Sequence, residues 1–253
     1  MKIIISPAKK MVTDDGLAWK ALPVFLEQAE ELKKSIQNLS YAEAKALWKC
    51  NDEIARLNYQ RFSQMELRQN LTPAILSYEG IQYQYMAPGV FTQDCLDYIQ
   101  EHLFILSGFY GVLRPFDGIT PYRLEMQAKL VTSGHEDLYG FWGDRLCRKV
   151  SEEDRVILNL ASQEYARCIW PFLKPEDRFV TCVFGEQKNG KIIQKGTLAK
   201  MARGEMVRFL AERNAQQPED AMAFDRLGFR YHEELSRDKE FVFLKEEIGA
   251  ERL

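Results

Sequence analysis

The sequence has 253 residues, 46% of them hydrophobic and 28% charged, and a formal net charge of −3. That balance excludes a disordered chain and suits one large domain or two small ones with a sizeable core. It also excludes a protein that is basic throughout, so any site for an anion has to be a local patch.

The first predicted element is a strand at residues 2–5, a lysine and three isoleucines cut by Ser6-Pro7, ending in a loop at Lys9-Lys10. Nothing in this opening reads as a secretory leader, and no apolar run approaches the roughly 20 residues of a membrane helix. Phe25, Ala29, Leu32 and Ile36 have the spacing of an amphipathic helix over residues 24–39. Ser40 with Glu43 forms the pattern of a capping box for a second helix, and helical pattern continues to about Met65. Residues 75–78 read as a strand stopped near Gly80, residues 92–100 as a helix and 103–106 as a strand.

Residues 106–126, LSGFYGVLRPFDGITPYRLEM, read as neither helix nor strand: three glycines and two prolines stand among four aromatics, two arginines, an aspartate and a glutamate. Such a segment is either a packed connection or the wall of a cleft. Residues 137–150 are helical by pattern, and 156–160 form a buried-type strand. Residues 179–185 and 191–195 make a hairpin about Lys188-Asn189-Gly190, where Asn-Gly favours a type I′ turn. A helix follows at 197–214, and 228–232 can pair with 240–244 as closing strands. The expectation is an α+β (mixed α/β) fold, one compact domain over residues 1–253 with an irregular mixed sheet and surrounding helices.

Four stretches carry side chains suited to chemistry. If residues 122–126 are extended, Tyr122, Leu124 and Met126 face one way, and Arg123 and Glu125 the other. Arg123 could then grip an anion while Glu125 holds its guanidinium; a structural ion pair at a sheet edge is the competing reading. Arg114, before Pro115, adds a second cation. Residues 188–213 hold seven basic and two acidic side chains. On the helix there, Lys200, Arg203, Gly204 and Val207 fall on one face, and the glycine would let a phosphate or a backbone approach; a solvated basic face is the alternative. Asn159 to Tyr165 runs from a strand into polar residues, where α/β sheets often place their sites; Ser162 suits a helix N-cap equally well. Residues 54–62 resemble the hairpin of a helix-hairpin-helix, with Arg56 and Asn58 in the usual glycine places and Arg61 after them.

Cys50, Cys95, Cys147, Cys168 and Cys182 are scattered without a paired spacing, and the three histidines are isolated, so no metal or cofactor site is expected and the thiols are expected to be free. Dinucleotide-binding, P-loop and nucleophile-elbow motifs are absent from the sequence.

ISPAKKM at residues 5–11, the 106–126 segment, LYGFWGD at 138–144, NLASQEY at 159–165 and KMARGEMVRF at 200–209 occur in this order. Together they closely resemble the YaaA family of bacterial peroxide-stress proteins, and the resemblance runs nearly the whole chain. It implies a cytoplasmic protein linked to survival of hydrogen peroxide and to limiting damage from unincorporated iron. It also implies a mixed α/β fold with a helix-hairpin-helix element, here about residues 41–65, a positively charged cleft and association with DNA. By motif, the cleft residues would be Lys9, Arg114, Tyr122, Arg123, Glu125, Asn159, Ser162, Tyr165, Lys200 and Arg203. One expected function is DNA binding without sequence preference, through phosphate contacts from Lys9, Arg56, Arg61, Lys200, Arg203 and Arg208. The other is an enzyme acting on a nucleotide, modified base or other small anion, with Lys9, Glu125, Ser162 and Tyr165 as candidate catalytic residues. A third possibility is that these residues only hold the fold together.

Overall fold

The computed structural model describes residues 1–132 and 134–246. The chain starts with β1 (Lys2–Ile5) and β2 (Lys10–Met11), followed by α1 (Leu26–Gln37), α2 (Tyr41–Trp48) and α3 (Asp52–Ser63). Then come β3 (Thr72–Pro73), α4 (Ala74–Ser77), β4 (Tyr78–Glu79), α5 (Ile81–Met86) and α6 (Gln93–His102). Next are β5 (Leu103–Ser107), β6 (Gly111–Leu113), β7 (Gly118–Ile119), α7 (Leu138–Trp142), α8 (Arg145–Ser151), β8 (Val156–Asn159) and α9 (Gln163–Ala166). The chain closes with β9 (Arg178–Lys188), β10 (Lys191–Ile193), α10 (Gly196–Glu212), β11 (Phe229–Tyr231) and β12 (Glu240–Lys245).

Eight strands form one mixed sheet in the order β11-β12-β9-β8-β1-β5-β6, with β10 paired to β9. The five central strands are parallel, and antiparallel β11 and β6 close its two ends. β1 is buried at every position, as a central parallel strand covered on both faces must be. From β1 the chain returns as β5 on one side; from β8, the other neighbour of β1, it passes to β9 on the far side. The connections leaving β1 and β8 therefore diverge, which opens a crevice beyond their carboxyl ends.

Several local signals act as their chemistry predicts. Ser40 and Glu43 close the capping box on α2, and Asn189 and Gly190 take the positive φ angles of a type I′ hairpin. β11 and β12 pair antiparallel.

Four local expectations need correction. Residues 74–77 are a helical turn, and only Tyr78 and Glu79 are in a strand. The backbone N–H groups of Ala74 and Ile75 donate to the Asp117 and Pro115 carbonyls, which supports the turn and makes the short apolar run ambiguous as strand. The break between α2 and α3 falls at residues 49–51, not 56–58: Lys49 takes the left-handed conformation and Asn51 caps α3 by accepting from Ile54 N–H. Arg56 and Asn58 thus lie within a continuous helix. Residues 137–150 form two helices, split at Gly143 (φ 52°). The 106–126 segment contains two short strands, β6 and β7. The end of the expected domain, residues 247–253, lies outside the described residues.

Two glycines set close approaches that shape the crevice. A Cβ on Gly108 would lie 2.5 Å from the Leu124 carbonyl oxygen, so only glycine lets the 122–126 segment pack over the end of β5. A Cβ on Gly204 would lie 2.1 Å from the Gln82 carbonyl oxygen, so α10 and α5 touch backbone to backbone. Gly204 between two cations serves a neighbouring helix, not a phosphate.

Candidate functional site

A cavity of about 410 Å³ opens at the divergence of β1 and β8. Its walls are residues 6–10 after β1, 79–83 leading into α5, 122–125, the Ser162, Glu164 and Tyr165 side of α9, and Lys200 and Arg203 on α10. The loops after β1 and β8 are tied together. Ser162 N–H donates to Ser6 Oγ (2.9 Å), and Ser6 Oγ donates to Ser162 Oγ (3.2 Å). Ser162 occupies the N-cap position of α9, but its hydroxyl makes no capping bond. Asn159 shapes the turn from behind, accepting from Ala161 N–H at 2.9 Å and donating to Thr181 Oγ1 at 3.1 Å.

Tyr122 is fixed by a buried chain of hydroxyls. Ser107 Oγ accepts from the N–H groups of Phe109 (3.1 Å) and Tyr110 (2.9 Å). Its own proton is then directed to Tyr122 Oη at 2.6 Å, and Tyr122 donates onward to Tyr78 Oη at 2.8 Å. Tyr83 Oη donates to the Ser6 carbonyl at 3.0 Å. Burial pushes the Tyr122 phenol up to about 12 and raises those of Tyr83 and Tyr165 well above the usual value. The tyrosine walls are neutral, with aromatic faces and phenolic donors.

Five cations and three carboxylates line the cavity. Glu125, 8% exposed, accepts from Arg123 Nη2 at 2.8 Å and pairs with Lys9 Nζ at 3.3 Å, both at Oε1. This is the predicted Arg123–Glu125 pair, and it sits in a cavity wall instead of at a sheet edge. Lys10 pairs with Glu79 at 2.9 Å. Burial raises the Glu164 carboxyl, against the stabilising Gln127 N–H at 3.2 Å. Arg203 and Lys200 have no hydrogen bond or ion pair among the described residues. Burial lowers the Arg203 guanidinium, which has only the Cys182 thiol acting the other way. Three donors on this lining are buried without an acceptor: Arg203 Nε, Arg123 Nε and Gln82 Nε2. All three lack an acceptor among the described residues, so each could donate to an acceptor group placed in the cavity.

Lys9, Tyr122, Arg123, Glu125, Ser162, Tyr165, Lys200 and Arg203 are thus brought to one cavity. The other named residues lie outside it. Arg114 is a structural clasp: it donates to the Gln100 and Glu101 carbonyls, holds Glu153 with both carboxylate oxygens, and stacks over Phe104. Arg56 pairs with Asp52, Arg61 donates to the Met11 carbonyl, and Arg208 pairs with Glu212. Asn58 is buried and donates to Ile54 C=O. Asn159 acts from behind the cavity wall.

Sequence reasoning missed Ser6, Gln82, Tyr83 and Glu164. The strand-end rule applied to β1 would have found Ser6, and Glu164 sits inside the quoted NLASQEY stretch. Gln82 and Tyr83 had no signal, because reading residues 75–78 as a strand hid the turn into α5.

Residues 1–235 match the family model described as peroxide stress protein YaaA. The chain belongs to this family. Its YaaA-family relatives include UPF0246 proteins from Lachnoclostridium phytofermentans and Desulfitobacterium hafniense. The first is 56% identical over 251 residues, covering 99% of this chain and 98% of the relative. The second is 55% identical over 246 residues, covering 97% and 98%. A UPF0246 protein from Lactiplantibacillus plantarum is 52% identical over 246 residues, covering 96% and 99%. Among the described residues no helix is long and apolar enough to cross a membrane.

Proposed function

We propose that this peroxide-stress family member works by binding a small phosphate-bearing ligand of nucleotide class in the crevice. The observation that carries this reading is Arg203, a half-buried guanidinium on the cavity whose Nε is buried and which has no carboxylate or carbonyl partner among the described residues. A partly desolvated cation without a partner is costly, and an anionic ligand would offset that cost. The place also fits: small ligands bind outside the carboxyl ends of strands where the connections diverge. The cavity's volume of about 410 Å³ falls in the range of small-ligand pockets, which suits a mononucleotide.

One observation favours a second reading, in which the chain binds DNA and shields it from radicals made by unincorporated iron. Lys188 and Lys191 stand exposed on the β9–β10 hairpin, and Lys200 is exposed at the base of the same basic stretch. Such lysines would meet duplex phosphates outside the cavity, without reading sequence.

Two measurements on the same proteins separate these readings. Thermal shift with inorganic phosphate and nucleoside mono-, di- and triphosphates tests the crevice. Anisotropy of a labelled duplex at several salt concentrations tests the hairpin. The first reading requires a nucleotide-induced shift in wild type that Arg203→Met abolishes and Lys188→Ala/Lys191→Ala keeps. The second requires salt-steep duplex binding weakened by the lysine pair and kept by Arg203→Met. Absence of both responses refutes both readings.

A further inference from the structure

We propose that the crevice is catalytic, with Glu125 and Glu164 as a carboxylate pair that hydrolyses the N-glycosidic bond of a nucleotide held by its phosphate on Arg203 and Lys200. This rests on the phosphate-ligand reading above and adds a reaction to it.

The two glutamates line one cavity in different surroundings. Glu125 Oε1 is taken up by Arg123 at 2.8 Å and Lys9 at 3.3 Å, which fixes the orientation of the group; Oε2 makes no hydrogen bond among the described residues. Glu164 has one backbone N–H on Oε1, and burial together with the nearby charge of Glu125 favours its protonated form, with Lys9 opposing. A carboxyl group clamped by two cations and a second one held by a single backbone donor give one site two different surroundings, as a base and an acid require.

The bond assigned to the two carboxyl groups is the glycosidic one, on the charge that its cleavage develops. Cleavage of a glycosidic bond builds positive charge on the sugar ring, which a flanking carboxylate stabilises. The elements also divide this way: α10 and α5 supply Arg203, Lys200 and Gln82, while the two glutamates come from the 122–125 segment and α9. Gln82 is independent evidence for a ligand here, being 6% exposed with an Nε2 that finds no acceptor. Tyr83, Tyr122 and Tyr165 give neutral aromatic surface for the base.

In the step itself, Glu125 removes a proton from water, and the water oxygen bonds to the anomeric carbon. The carbon–nitrogen bond breaks, its electron pair leaves with the base nitrogen, and Glu164 delivers a proton to the departing base. The products are a free nucleobase and a sugar phosphate, and the two glutamates return to their starting states by proton exchange with water. No oxidant, reductant or further reactant is consumed.

The test incubates the intact chain with a panel of ribo- and deoxyribonucleoside 5′-monophosphates and measures free nucleobase by chromatography. Thermal shift with the same nucleotides is recorded in parallel. Base release by wild type is expected, falling at least about 100-fold in Glu125→Gln and in Glu164→Gln while each variant keeps its nucleotide-induced shift. Glu125→Asp, which retains the charge, should recover part of the activity if Glu125→Gln folds poorly. Nucleotides that bind wild type without any base release overturn the catalytic proposal and leave the ligand reading standing. Release at the wild-type rate by both glutamine variants overturns it as well. If no nucleotide shifts the wild-type melting temperature, the ligand reading fails and the catalytic proposal falls with it.

Discussion

Gly204→Ala probes the contact on which the crevice depends. In an exposed helix this change would stabilise by about 1 kcal/mol, because alanine is the better helix former. Here the added Cβ would sit 2.1 Å from the Gln82 carbonyl oxygen and 2.9 Å from Met86 N, where ordinary contact begins near 3.4 Å. The atoms met are backbone, so a rotamer change cannot relieve the clash, and α5 has to move by about 1 Å. Overpacking of this kind costs roughly 1–3 kcal/mol or more, which outweighs the propensity gain. A net loss of about 1–2 kcal/mol is expected, seen as a melting temperature lower by roughly 3–6 °C for a chain of this size. Because α5 carries Gln82 and Tyr83, any nucleotide-induced shift should weaken too. Gly196→Ala is the control: that position has open space around its Cβ and begins the same helix, so it should be neutral or slightly stabilising. Equal stabilisation by the two substitutions would refute the backbone contact between α5 and α10.

Three further outcomes separate site residues from scaffold. Arg203→Met should raise the melting temperature of the ligand-free protein by roughly 2–4 °C, about 1 kcal/mol, since it removes a half-buried cation with no partner among the described residues; a lower value in differential scanning calorimetry would mean that Arg203 is structural. Arg114→Met should do the reverse, lowering stability by about 2–3 kcal/mol through loss of charge-assisted bonds to Gln100, Glu101 and Glu153, while ligand response stays intact. Burial raises the Asp117 carboxyl to about 7, from 3.8 in the unfolded chain, with the Arg114 N–H opposing. The folded state therefore binds the extra proton between those values, and stability falls as pH rises through roughly 4 to 7, by a few kcal/mol. Glu153, held near 2 chiefly by Lys2 and then by Arg114, acts in the opposite sense and loses its contribution only below about pH 4.5. Asp117→Asn keeps an acceptor for Arg114 N–H and should flatten the melting-temperature profile between pH 4.5 and 7.5. Parallel profiles for the two proteins would refute this assignment.

Local chemistry was legible where it was self-contained. The Ser40–Glu43 box and the Asn189-Gly190 turn are each written within a few residues, and each formed as read. The pairing of Arg123 with Glu125 was legible for the same reason, being two residues apart. What failed depended on distant partners. Residues 74–77 are helical because the carbonyls of Asp117 and Pro115 meet their N–H groups, some forty residues away by order of magnitude. Arg114 looked like a site cation because its side chain's four acceptor contacts lie on α6 and beyond α8, out of reach of any local pattern.

Arg114 and Arg203 show what turns a motif residue into a candidate for function. Both are arginines in family-like motifs, and both are largely withdrawn from water. Arg114 reaches carbonyls, a bidentate carboxylate and an aromatic face, so the fold alone accounts for it. Arg203 is placed by the same helix that presses Gly204 onto α5, yet its Nε meets no acceptor among the described residues. A helix that must pack backbone to backbone with α5 carries its neighbouring side chain into the crevice whether or not a protein group waits there. The desolvation cost is then left standing in the free protein, and selection for stability alone would replace the arginine with an apolar residue of similar length. Its presence beside Gln82, Lys200 and the Glu125–Glu164 pair makes sense if the missing acceptor arrives with the ligand.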